Sequence, residues 1–429
     1  MKKYILFMLC VLPLAGNAQG LFGRLKERAA QTATDLLINK SQQVAERKID
    51  KAITPSKNER ALIEQPSTKH PKTINDNPAN DFKFYTHYDY VPGQMAFYAE
   101  SFDSANLGEL PQGWNSNGNG AVVNLAGIPG NWLKMDQNAS FLSANTAKAG
   151  KEFTIEFDLV SNFINGSYLL PQYQIGILSS GKVAANDNSL LKDQRGAKML
   201  ELEIRPGFDE HTFIQLKSYN AGREYFAGPI TAYPSLENYN GKVMHVAICV
   251  QHQRVRMWIN GDKAFDVPNA IKEDGDFNQF FFHSDASNYK NSDVGFYLGN
   301  VKMANGLPDT RSKLLNEGAY STTGILFDLN KAEVSPQSFG VLNEIAQILK
   351  DNTTLKLKIT GHTDADGKDA ANKILSIDRA NAVKDLLVKQ YAIEAERLQT
   401  DGKGSSQPVA DNKTSIGKTQ NRRVEFTKI

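Results

Sequence analysis

The spacing of apolar side chains changes character several times along the chain, and each change predicts a different kind of element. Between residues 85 and 305, apolar and polar residues alternate in short runs broken by Gly, Asn and Asp. Phe153-Thr154-Ile155-Glu156-Phe157-Asp158-Leu159 and Leu200-Glu201-Leu202-Glu203-Ile204 are the cleanest runs. A period of two sends successive side chains to opposite faces of a strand. Val255-Arg256-Met257-Trp258-Ile259 leads into Asn260-Gly261, a pair that tolerates positive φ and predicts a two-residue hairpin. Helical periodicity is nearly absent. The pattern predicts an antiparallel β-sandwich with one face of each strand buried.

After a connector, 306–321, the rhythm becomes mixed over 322–429. Thr323 to Leu329 predicts a strand. Ser335-Pro336 supplies a helix N-cap and a proline at the first helical position. Val341, Leu342, Ile345, Ile348 and Leu349 then form an amphipathic stripe. Leu355 to Thr360 predicts the next strand, Lys368 to Tyr391 a second helix, and Leu398 to Gly402 and Arg422 to Lys428 the closing strands. The expected fold class is therefore multidomain: an antiparallel β-sandwich followed by an α/β domain of order βαβαββ.

The N-terminal end reads differently again. Lys2 and Lys3 precede an apolar run, Tyr4 to Ala15, with Gly16 and Ala18 placed before a cut at Gln19. The run is too short to span a bilayer and has the layout of a cleavable secretory signal, 1–18. A buried N-terminal core helix is the competing reading. In 19–54, Leu21, Leu25, Ala29, Ala33, Leu36, Leu37 and Val44 recur at roughly helical spacing. That segment suits a membrane-surface or coiled-coil contact, a helix packed on its own protein, or a spacer. Residues 55–84 carry Pro55, Pro66, Pro71 and Pro78 among polar residues and predict a linker.

Composition narrows the function classes. The net charge is +2, which implies no polyanion-binding surface and argues against nucleic acid as a partner. Of the two cysteines, Cys10 falls in the signal run and Cys249 in the apolar stretch Val246-Ala247-Ile248-Cys249-Val250. No intramolecular disulfide is expected in the mature chain, and Cys249 reads as a core residue. The seven histidines show no metal-ligand spacing, so no cofactor or metal is expected. Trp114, Trp132 and Trp258 suit packing better than sugar stacking. Asp187 to Asp193 suits a surface turn or a calcium loop.

One constellation promises recognition. Asp364 closes Gly361-His362-Thr363-Asp364 at the end of a predicted strand, where α/β folds place ligands. Asn372 and Arg379 are two helical turns apart on one face, with Ser376 between. Asn421-Arg422-Arg423 approach from the C-terminal end. A carboxylate and two guanidinium groups converging on one cleft suit a zwitterionic ligand. Its ammonium would pair with Asp364 and its carboxylate with Arg379. His362 lacks the partners that catalysis would need.

These residues closely resemble the OmpA-like peptidoglycan-binding domain family. The resemblance spans about 322–429 and rests on five ordered blocks: Phe327-Asp328-Leu329-Asn330-Lys331-Ala332, Gly361-His362-Thr363-Asp364, Asn372 with Leu375-Ser376 and Arg379-Ala380, Arg397-Leu398 with Gly402, and Asn421-Arg422-Arg423-Val424. It implies a non-enzymatic anchor in the periplasm or at the outer membrane of a Gram-negative envelope. Its partner would be the diaminopimelate of the peptidoglycan stem peptide. Asn330, Asn372 and Arg422 would line the pocket with Asp364 and Arg379. Residues 85–305 resemble the concanavalin-like, laminin-G-like jelly rolls through His245-Val246-Ala247-Ile248 and Arg256-Met257-Trp258-Ile259-Asn260-Gly261. That resemblance implies a module for a glycan or an envelope protein. The alternative is a glycan-active enzyme using Glu201 and Glu203, a pair that otherwise reads as the solvated face of a strand.

Overall fold

The computed structural model describes residues 88–184, 186–196, 198–273, 276–327 and 331–429. The expected signal, the 19–54 segment and the expected 55–84 linker lie outside them. Two eight-stranded antiparallel sheets occupy the first part. One sheet runs Asp262–Val267, Arg254–Ile259, Val243–Gln251, Glu152–Phe163, Val294–Asn305, Ile128–Met135, Gly120–Leu125 in spatial order, and Met95–Glu100 also pairs with Val294–Asn305. The other runs Arg223–Ala227, Phe213–Asn220, Lys198–Arg205, Tyr173–Ser179, Gln279–Ser284, Ala139–Leu142, Asn115–Ser116, with Thr231–Ala232 beside Phe213–Asn220.

Alternation places the core between the sheets. Phe153, Ile155, Phe157 and Leu159 point inward from one sheet and Leu200, Leu202 and Ile204 from the other. Aromatic edges lock the layers: Phe157 meets Phe280 at 5.3 Å and Tyr173 meets Phe296 at 5.0 Å between ring centroids. The Asn260-Gly261 hairpin forms as expected, with φ of 51° and 93° at its two turn residues and Ile259 opposite Asp262. Both angles positive is the type I′ arrangement that matches strand twist. All three tryptophans and Cys249 are buried.

The outer faces depart from expectation. They are not uniformly solvated, because other segments cover the central strands. Tyr88 and Tyr90 pack over Ala247, Cys249 and Trp258 on one sheet. Leu190 and Leu191, from the helical turn Ser189–Lys192, pack over Leu142, Leu178 and Phe281 on the other. Glu156, Glu201, Glu203 and His245 are buried as well, so the Glu201–Glu203 pair is not a solvated strand face.

The C-terminal part is a four-stranded sheet with helices on one face. Its elements are β1 (Ala319–Thr322), α1 (Phe339–Asp351), β2 (Leu357–His362), α2 (Asp369–Lys389), β3 (Leu398–Gly404), α3 (Ser415–Asn421) and β4 (Val424–Lys428). The strand order is β1-β4-β2-β3, with β2 and β3 parallel and the other pairs antiparallel. Val341, Leu342, Ile345, Ile348 and Leu349 of α1 fill a core with Leu357, Ile359, Val424 and Phe426.

Two expectations are corrected here. The first strand lies at 319–322, overlapping the end of the expected connector, rather than at 323–329. Tyr320 and Thr322 are its inward residues, and Tyr320 stacks on Phe426. Beyond it the backbone turns to serve the first helix. Leu326 N donates to Ser338 Oγ at 2.8 Å, and Ser335 N donates to Leu326 O at 2.9 Å, so these groups are not free for a sheet ladder. The second correction is α3, for which the sequence pattern predicts no helix. Thr414 caps it by accepting from Gly417 N at 3.0 Å.

Arg397, one of the motif residues, is structural. It is buried and donates to Leu355 O at 3.0 Å and to Leu349 O and Asn352 O at 2.7 Å each. These bonds tie the last turn of α1, through Leu349 O, to the loop that leads into β2. Arg397→Met is expected to lower stability by about 2–4 kcal/mol, because it strands several buried acceptors. Urea denaturation followed by circular dichroism measures this.

Candidate functional site

The end of β2 is built by close backbone contact. A Cβ on Gly361 would overlap the Ser376 carbonyl oxygen, and one on Gly402 would overlap Ser376 Oγ. Glycine at both positions lets α2 lie directly against β2 and β3. Ser376 Oγ in turn accepts from Gly404 N at 2.9 Å. This packing brings the turn after β2 beside the first half of α2.

Asp364 sits on that turn with its side chain 11% exposed. Its Oδ2 accepts from Arg422 Nη1 at 2.6 Å, and its Oδ1 accepts from Asp366 N at 3.1 Å. Asn372, also buried, donates to Asp366 O at 2.9 Å and to Asp364 O at 3.4 Å. It therefore pins the turn. Arg422 leaves the end of α3, donates additionally to Thr419 Oγ1 at 3.1 Å and remains 41% exposed.

Arg379 approaches from α2. Its Nε donates to Lys331 O at 3.1 Å, and its guanidinium lies 4.8 Å over the Phe327 ring. Burial holds its pKa below the usual arginine value; the Arg422 guanidinium adds to this, and Asp364 opposes it. Arg379, Arg422 and Asp364 thus share one electrostatic environment. Two cations around one carboxylate leave a local excess of positive charge, which a ligand carboxylate would neutralise.

Four of the five expected site residues, Asp364, Asn372, Arg379 and Arg422, come together. Asn330 lies outside the described residues. The other two residues of the C-terminal triplet go elsewhere. Asn421 is fully buried and holds the 409–412 loop through Val409, Ala410 and Asn412. Arg423 turns to Glu425. Sequence reasoning missed Phe327 as the platform for Arg379. It also missed Lys418, whose Nζ holds Asp366 at 2.9 Å. A lone aromatic at the start of its motif block and a lysine on an unrecognised helix gave no spacing signal.

His362 is buried beneath this end of the sheet, 3.5 Å from Glu425. His362 and Arg423 together hold the Glu425 carboxyl down to about 2. The imidazole packs inside the fold.

Comparison with known proteins agrees with this part of the chain. Residues 326–422 match the OmpA family model. Outer membrane porin F of Pseudomonas aeruginosa is 43% identical over 101 residues, 24% of this chain and 29% of that protein. The probable lipoprotein YiaD of Escherichia coli is 37% identical over 140 residues, 31% of this chain and 64% of that protein. The peptidoglycan-associated lipoprotein from Burkholderia pseudomallei, a solved structure, is 28% identical with a TM-score of 0.23, covering 25% of this chain and 89% of that one. The chain spans only about a third, or less, of the first curated relatives it matches. The C-terminal segment 326–422 is an OmpA family domain.

Proposed function

We propose that the OmpA family domain binds the diaminopimelate of peptidoglycan non-covalently and so anchors an exported envelope protein to the cell wall. One observation supports this above the rest: a single buried carboxylate, Asp364, lies among two guanidinium groups, Arg379 and Arg422. The arrangement is short of one negative charge and retains one acidic acceptor. A ligand bearing both a carboxylate and an ammonium complements it. Arg379 supplies the fork for the ligand carboxylate, stiffened by Phe327 below it. Asp364 receives the ammonium alongside Arg422, and Asn372 keeps the turn in place. Asn330 would complete the lining. The relatives outer membrane porin F and lipoprotein YiaD suit a position at the outer membrane or in the periplasm.

The two-sheet part is, in this reading, a concanavalin-like module over 85–305 that presents a surface to glycan or envelope protein. It has no catalytic role.

Sacculi that carry lysine in place of diaminopimelate lack the second carboxylate of the side chain. The full chain is expected to sediment with diaminopimelate sacculi and to be retained at least about tenfold less by lysine sacculi, a loss on the order of 1.4 kcal/mol or more. Equal retention on both would refute the site.

A further inference from the structure

β1 lies at the edge of the C-terminal sheet, with β4 its one neighbour among the described residues. Register fixes which backbone groups face outward. Lys428 N donates to Gly318 O at 2.9 Å, so bonded pairs recur at every second residue, Tyr320 with Phe426 and Thr322 with Val424. The alternate residues of β4 serve β2, as shown by His362 N donating to Arg423 O at 3.0 Å. Ala319 and Ser321 therefore aim their N–H and C=O groups away from the sheet. Both are exposed, and both line a cleft of 540 Å³.

An open edge is a template for another strand unless lysine, proline or a bulge blunts it. Ala-Tyr-Ser-Thr contains neither residue, and its pairing with β4 is unbroken. Four residues of strand offer about 13 Å of edge. The cleft volume falls within the ~300–1,000 Å³ usual for ligand sites.

Charge says what kind of strand would fit. Arg423 lines the cleft and is 6% exposed. Its Nε and Nη2 hold Glu425 at 2.8 and 2.7 Å, while Nη1 is buried without a hydrogen-bond partner. Lys313 lines the same cleft. The one carboxylate there, Glu425, is already engaged. An incoming acidic group would answer the second cation and the orphaned N–H.

We propose that this cleft takes an extended segment of a partner protein, which adds to β1 as a further strand and seats an acidic side chain against Arg423 and Lys313. The site shares no residue with the Asp364–Arg379–Arg422 cluster, so it does not depend on the wall-binding reading.

Titrating a fluorescently labelled Val-Glu-Val-Glu-Val peptide with the full chain tests this by anisotropy. Saturable binding is expected. Replacing both glutamates with glutamine should weaken it by about tenfold, in line with loss of a charge-assisted bond. N-methylating alternate residues, which removes the donors an added strand needs, should abolish it in one of the two registers and requires no protein variant. Ser321→Pro removes an outward N–H and no bond to β4. It should abolish binding while circular dichroism and sacculus retention stay unchanged. The proposal is overturned by absence of saturable binding, or by undiminished binding of both N-methylated peptides. It is also overturned if Ser321→Pro instead breaks a self-association of the chain that the peptide does not compete with, which would give the cleft to a second copy. Binding that appears only after residues before Tyr88 are removed would give it to the chain's own N-terminal segment.

Discussion

The full chain carrying Arg379→Ala is expected to stay in the supernatant when diaminopimelate sacculi are pelleted, with its thermal midpoint within a few degrees of the parent. The two halves of that result separate recognition from folding. Arg379 contributes to the fold through one bond to the Lys331 carbonyl and its contact over Phe327, together worth about 1 kcal/mol. Its contribution to binding is larger. Without it, a ligand carboxylate enters a partly buried site with no fork to receive it, at a cost of about 2–5 kcal/mol. Arg379→Lys should fall between, because it keeps the charge but loses the planar fork and the stacking. Asp364→Ala should also lose retention, by a different route. It removes the ammonium's acceptor and leaves the repulsion between Arg422 and Arg379 uncompensated. Arg422 is 41% exposed, so water relieves part of that repulsion and the fold survives. Asp364→Asn keeps the shape and removes the charge. If Arg379→Ala pellets as the parent does, the anchor assignment is wrong.

The parts of this arrangement that could be read from sequence are those set by short-range periodicity. Seven residues along a helix place Asn372 and Arg379 on one face whatever surrounds them, and Asp364 ends a strand whose apolar pattern is plain. How these groups are used is a matter of tertiary contact. Arg422 closes on Asp364, Asn372 pins the turn, and Phe327 lies under Arg379. None of these pairings leaves a spacing trace. The first strand of the C-terminal sheet was displaced for a related reason. Ile325, Leu326 and Phe327 are the more apolar run, yet Leu326 spends its backbone groups on Ser335 and Ser338. The short, polar-looking Ala319–Thr322 takes the sheet edge because Tyr320 finds Phe426. In the two-sheet part, alternation identified the inward set, Phe153 to Leu159 and Leu200 to Ile204. It could not show whether the other face is covered. That depends on Tyr88, Tyr90, Leu190 and Leu191, which lie in segments too short to show a period.

Glu201 is a buried group of that part with a measurable consequence. It sits on the Lys198–Arg205 strand with 4% of its surface exposed. Burial pushes its carboxyl up to about 7; Lys217 opposes the shift, and Glu203 adds to it. Its one hydrogen bond among the described residues is a long one, 3.5 Å from Tyr219 Oη. Glu203 takes the better partners, Lys217 at 2.6 Å and Arg205 at 2.9 Å. A carboxyl whose folded pKa exceeds its unfolded value of 4.5 binds its proton more tightly when folded. Stability therefore falls as pH rises from about 4.5 to about 7 and stays lower above that. Glutamine mimics the protonated form at every pH. Glu201→Gln should match the parent at pH 4 and exceed it by about 2–3 kcal/mol at pH 8, read from urea midpoints at the two pH values. A pH-independent difference would mean that the carboxyl binds its proton no more tightly in the fold than in the unfolded chain. The same burial bears on the glycan-hydrolysis alternative. Two carboxylates with separated proton affinities are what that chemistry requires, but an acid with 4% exposure is shut away from a sugar ring. Envelope polysaccharide incubated with the full chain should therefore release no reducing ends above those seen with Glu201→Gln.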